Sequence, residues 1–100
     1  MNPRLALAAV ALVGAALAAE PSEALRSRVE AIAITGAHPK GMILVDYGGH
    51  SRLYRRGEVV DEKLGIKLHA FTVEGSTAVL VFQDRSGSQV SRKVGIRWKP

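Results

Sequence analysis

The residues of this chain that could do chemistry are three histidines, a scatter of serines, one adjacent pair of acids and a crowded basic stretch. His38, His50 and His69 stand in three separate segments and form no H-x-H or H-E-x-x-H pair, so zinc has no local signature. Ser51, Ser76, Ser86, Ser88 and Ser91 lie in or beside turn-forming stretches. None belongs to a G-x-S-x-G elbow that would present a nucleophile. Asp61 and Glu62 are neighbours, and neighbours on an extended chain point to different sides rather than forming a catalytic dyad. The glycines make neither a P-loop nor a dinucleotide fingerprint. Cysteine is absent, which removes disulfides, thiolate metal sites and a cysteine nucleophile. A chain so equipped is expected not to be an enzyme and to use no cofactor and no metal ion.

The basic stretch is YGGHSRLYRRGEVV, Tyr47 to Val60, in which three arginines, a histidine and two tyrosines share fourteen residues. One use would be nucleic-acid binding, with Arg52, Arg55 and Arg56 on phosphates and Tyr47 and Tyr54 stacked on bases. Asp46, Glu58, Asp61 and Glu62 dilute such a patch, and the whole chain holds only two tyrosines, two phenylalanines and one tryptophan. A second use is protective, because arginines on an edge strand keep it soluble and discourage self-pairing. A third is protein docking, since arginine and tyrosine are enriched among residues that dominate binding energy. Choosing among these requires knowing where the protein resides.

The N-terminus addresses that. Arg4 precedes an uncharged run from Leu5 to Leu17, and Ala16-Leu17-Ala18 has small residues at the two positions a signal peptidase reads. Leu5 to Ala19 is fifteen residues, whereas a membrane-spanning helix takes roughly 20. A secretory signal peptide over residues 1–18 is therefore expected, and a retained short membrane anchor is the alternative. No cysteine follows the run, so lipid modification there is excluded. Removing residues 1–18 takes away Arg4 and no acid, lowering the formal charge from +5 to +4 over the remaining 82 residues. An exported domain this small without disulfides fits a bacterial periplasm and has a marginal core, which docking into a larger assembly would support. In that compartment a solvated face ranks first for the basic stretch, a docking edge close behind, and nucleic acid well below.

The elements that must position these residues are read from hydrophobic period and turn residues. Residues 19–30 are polar, a linker or short helix, and residues 31–100 form a small β-domain. VEAIAITG, from Val29, places Ile32 and Ile34 on one face. MILVDY ends at Gly48-Gly49, a pair suited to a tight hairpin turn. HSRLYRR returns with Leu53 as its main apolar residue, and EVVDEKLG connects onward with Val59 and Val60 available to pack. IKLHAFTV carries Ile66, Leu68 and Ala70 on one side and His69, Phe71 and Val73 on the other. TAVLVF, apolar on both faces, is the expected central strand. In the last run Val90, Val94, Ile96 and Trp98 share a face on which Arg92 is the misfit. About six short strands at regular spacing predict an all-β fold, a small antiparallel β-sandwich or partly open barrel, preceded by an N-terminal signal helix.

The order of these segments resembles the periplasmic homology-region domain of GspC, the inner-membrane component of type II secretion, and the related β-domain of the type IV pilus protein PilP. The resemblance runs from Ile32 to about Ile96. It rests on Thr35-Gly36, Ile43-Leu44, the Tyr54-Arg55-Arg56-Gly57-Glu58-Val59-Val60 stretch and Ala78-Val79-Leu80-Val81. It implies a periplasmic scaffold that docks onto a secretin's N-terminal domain or an inner-membrane platform protein. From the expected export, no nucleic-acid partner is expected, and membrane contact only if the N-terminal segment is uncleaved. The expected contact residues are Ile32, Ile34 and Gly36 on the first strand, with Arg52, Tyr54 and Arg56. An exported basic β-barrel that binds cell-wall polymer or nucleic acid is the alternative.

Overall fold

The computed structural model describes residues 23–98; the expected signal helix lies outside them. Glu23–Glu30 forms helix α1. Seven strands follow, β1 (Ile34–His38), β2 (Met42–Asp46), β3 (Ser51–Arg55), β4 (Val59–Asp61), β5 (Ile66–Glu74), β6 (Thr77–Gln83) and β7 (Gln89–Gly95). They make two antiparallel sheets, one ordered β1-β2-β3 and the other β4-β5-β6-β7. The expected all-β, sandwich-like architecture is what forms. The strand beyond the expected six is β4, three residues of the stretch read as a connection.

One core is shared by both sheets and the helix. Ile43, Val45 and Tyr54 come from the smaller sheet, and Ile66, Leu68, Leu80 and Phe82 from the larger. Each such side chain, fully buried, stabilises the fold by roughly 1.5–3 kcal/mol. β6 lies between β5 and β7 and buries Ala78, Leu80 and Phe82, while Val79 and Val81 are half-buried on its other face. That placement matches a run that is apolar on both sides. Helix α1 has only Leu25 and Val29 to bury, four residues apart and so on one face, and both are buried in the core. Val29, the first residue of the run that leads into β1, thus belongs to the helix, within the 19–30 segment expected as a linker or short helix.

Two strands turn a different side chain to the core from the one their pattern favours, each for a local reason. The Gly48-Gly49 turn, at φ 72° and 141°, closes with the Tyr47 N–H donating to the His50 carbonyl at 2.8 Å. Counting away from that pair sets Ile43 opposite Tyr54 and Leu44 opposite Leu53. Ile43 faces the core, so Tyr54 does too, with 7% of its surface exposed. Leu53 turns outward instead. In β5 the register shifts between Leu68 and Ala70. An extra residue at such a bulge inverts the alternation, so Phe71 rather than Ala70 lies opposite Leu80 and packs against the core.

Arg92 lies on the inward side of β7, and its Nη1 donates to the carbonyls of Val29 and Ile32, each at 2.7 Å. Val29 lies in the last turn of α1 and Ile32 two residues beyond its end, and a guanidinium is favoured beside the partial negative charge of a helix C-terminus. The misfit of the sequence pattern is the residue that ties the helix to the larger sheet. Replacing it with alanine (Arg92→Ala) is expected to lower the free energy of urea unfolding by about 2 kcal/mol, the scale of charge-assisted hydrogen bonds lost at a partly buried site. Arg92→Lys, which has the charge but a shorter reach, should restore only part of that.

Candidate functional site

Strand edges are where a small β-domain offers its backbone to other molecules, and the two sheets treat their edges differently. β1 is bridged to the chain beyond β7. The Ala37 N–H donates to the Arg97 carbonyl at 2.7 Å, and the Arg97 N–H returns to the Ala37 carbonyl at 3.1 Å. Gly36 sits beneath this bridge, where a Cβ would come within 3.3 Å of the Arg97 carbonyl and 3.6 Å of the Trp98 ring. Trp98 in turn meets the His38 ring edge-on at 5.2 Å. On that side the sheets are joined.

On the other side β3 and β4 stay apart. β3 pairs with β2 alone. In an antiparallel hairpin alternate residues direct their backbone groups toward and away from the partner strand. From the bonded Tyr47–His50 pair, Arg52 and Tyr54 address β2, while Ser51, Leu53 and Arg55 address the open side. Arg55 is satisfied there, its N–H donating to Glu58 Oε1 at 2.8 Å and its carbonyl accepting from Glu58 N at 3.1 Å. Ser51 and Leu53 have no outward backbone partner among the described residues.

The gap between β3 and β4 is a cleft of about 510 Å³ lined in part by Arg28, Tyr47, His50, Arg52, Tyr54 and Asp61. The Tyr47 and Tyr54 hydroxyls are 2.7 Å apart, and the Tyr47 O–H donates to the Val60 carbonyl at 3.4 Å, spanning from the hairpin to β4. The Tyr47 ring is partly exposed, but its hydroxyl lies inside the gap. Burial, then the hydrogen bond and charge of Tyr54, push its pKa up from 10.0 to about 12 against the lowering effect of Arg52. The Tyr47 ring stacks on His50 at 5.7 Å, and the Arg52 guanidinium stands 5.6 Å from the centre of the Tyr54 ring. Arg28 of the helix forms an ion pair with Asp61 of β4, donating from Nε at 2.8 Å and also from Nη2. Burial would raise the Asp61 carboxyl. The bonds from Arg28 and from the Leu64 and Lys63 backbone outweigh it and hold the group below its ordinary 3.8.

This is the one ion pair among the described residues. Arg52, Arg55 and Arg56 consequently have no carboxylate partner there. Three of the four large apolar residues exposed among the described residues, Tyr47, Leu53 and Val59, also belong to the two strands and turn flanking the gap.

The six residues expected to make contacts are distributed over three places. Ile32 and Ile34 are half-buried against the core. Gly36 is buried at the joined side, next to the Ala37–Arg97 bridge that engages this end of the first strand. Arg52 and Tyr54 meet in the cleft, where Tyr54 supplies a hydroxyl while its ring packs in the core. Arg56 stands apart in the turn after β3, near Lys40 and Arg55. The histidines are equally dispersed, His38 against Trp98, His50 on Tyr47 and His69 exposed at the bulge. No cluster of three histidine or acidic residues able to hold a metal ion occurs among the described residues. Ser51, Leu53 and the Arg28–Asp61 pair were missed by reading residue types. Counting the register back from Gly48-Gly49 would have found the first two, whereas nothing in the sequence connects Arg28 with Asp61. No family model, curated protein or solved structure matches this chain.

Both tyrosines of the protein lie in this cleft, so phenolate absorbance reads the site without interference. Tyr47 is expected to ionise near pH 12, and Tyr54→Phe to bring its step back toward the ordinary value. Because its folded pKa is raised, its contribution to stability is complete below pH 10.0 and fades as pH rises toward about 12. Asp61 has the opposite sign. Its contribution is present above 3.8 and is lost as pH falls through the depressed folded value. An acid titration followed by circular dichroism should therefore show Arg28→Gln unfolding at a higher pH than the parent chain.

Proposed function

We propose that this protein is a non-enzymatic docking subunit of the bacterial periplasm, a scaffold or adaptor in an assembly of the type II secretion or type IV pilus kind. Its partner in this reading is a protein, either a secretin's periplasmic domain or an inner-membrane platform component. The observation that carries the reading is the β3 edge, where, among the described residues, the outward backbone groups of Ser51 and Leu53 have no partner and the neighbouring arginines no carboxylate. An unpaired edge attracts a further strand, and affinity then comes from main-chain hydrogen bonds while side chains choose the partner. The segment order that resembles the GspC and PilP β-domains supports the same role. Among the described residues no helix is long and apolar enough to cross a membrane, so any anchoring in this reading falls to the N-terminal segment.

The test is chemical crosslinking in intact envelopes with a C-terminally tagged chain, followed by mass spectrometry. Recovery of a secretin or platform protein is the expected result, with the yield lost in the Arg52→Glu, Arg56→Glu double variant while its circular dichroism spectrum stays unchanged. Recovery of murein alone would replace this reading with cell-wall binding.

A further inference from the structure

Resting on the docking reading, we propose that the open edge of β3 accepts an extended acidic segment of a partner protein, in which acidic, variable, apolar and acidic residues face Arg55, Tyr54, Leu53 and Arg52 in turn. The pattern follows from what β3 presents. A strand laid antiparallel beside it would bond to the outward backbone groups of Ser51 and Leu53. Side chains directly across an antiparallel pair touch, so each β3 residue selects its opposite. Leu53 is 37% exposed and, with Leu44 beside it on the outer face, calls for an apolar neighbour.

Arg52 is on the inner face with Tyr54, at the lip of the cleft, and has no carboxylate partner among the described residues. A carboxylate opposite it would form the short charge-assisted bonds that guanidinium favours. Arg55 sets the far end. Glu58 already holds its backbone groups, so main-chain pairing stops there, yet its side chain has no carboxylate partner among the described residues. The docking edge thus has a defined length, ended by Glu58 on one side and by the Tyr47–His50 turn on the other.

Charge decides against the other occupants. A second copy of this chain would bring six arginines into one interface, three from each β3 and its turn, while Glu58, the acid at the end of that edge, is already held by the Arg55 backbone. The self-pairing that such edges risk is the outcome these arginines oppose. An acidic strand turns the same charges into attraction.

The experiment uses the full, uniformly ¹⁵N-labelled chain and an acetylated, amidated peptide with the sequence Glu-Thr-Val-Glu repeated twice, alongside the same peptide with lysine for glutamate. The acidic peptide is expected to shift the Ser51 and Leu53 amides most and to slow their hydrogen exchange by about tenfold, while the lysine peptide does neither. The Arg52→Glu, Arg55→Glu double variant should reverse the preference between the two peptides. Equal response to both peptides, shifts confined to the joined β1–β7 side, or no shift at millimolar peptide would overturn the inference. So would sedimentation showing a dimer whose formation protects Ser51 and Leu53. If crosslinking recovers an envelope partner whose capture survives the double variant, the acidic-strand inference fails and the docking reading stands. If the peptide binds as expected but envelopes yield no protein partner, the edge chemistry holds and the assembly is wrong.

Discussion

Two backbone hydrogen bonds between Ala37 and Arg97 determine which edges of this fold are open. A pair of sheets has four outer edges, each a row of N–H and C=O groups that must find partners or face water. The bridge ties β1 to the segment leaving β7, and the helix packs beside β7 through Arg92. What remains is the gap between β3 and β4. Gly36 is part of this constraint, because a Cβ there would press on the Arg97 carbonyl at 3.3 Å and push the bridge slightly apart.

The gap is held open in a particular way. It is spanned by side chains rather than by a backbone ladder. Tyr47 reaches from the hairpin to the Val60 carbonyl, and Arg28 reaches from the helix to Asp61. Side-chain spans of this kind cost little to rearrange compared with a strand ladder, yet they satisfy the polar groups that would otherwise stand unpaired at the rim. Glu58 does the same for Arg55. The result is a short stretch of β3, centred on Ser51 and Leu53, where backbone capacity is unspent. The hairpin also determines the electrostatics, since the register that turns Tyr54 inward sets Arg52 at the mouth of the cleft and Leu53 on the outer face.

The places where residue types misled are informative. Leu53 is the main apolar residue of its strand, yet Tyr54 is the one buried, because a two-residue turn leaves no freedom of parity once Ile43 is committed to the core. Ala70 was favoured over Phe71 because alternation was carried straight through His69, and no residue type there announces a bulge. Arg92 read as an error of pattern because the pattern contained no helix end to receive it. In each case the competing influence was a neighbour distant in sequence or a register set elsewhere.

The sequence by itself determined the all-β class, the central position of β6, the Gly48-Gly49 hairpin and the lack of any local catalytic or metal motif. Period-two apolar runs and obligatory turn residues act over a few positions and are visible without partners. Only the tertiary structure decided that the first strand is engaged at Ala37 and the third is open, that Arg28 meets Asp61, and that three arginines lack a counter-charge among the described residues. Those facts depend on contacts between residues about 30 to 60 positions apart, such as Arg28 with Asp61 and Ala37 with Arg97. Such contacts arise from how two sheets close on a shared core, and no short-range pattern encodes that closure.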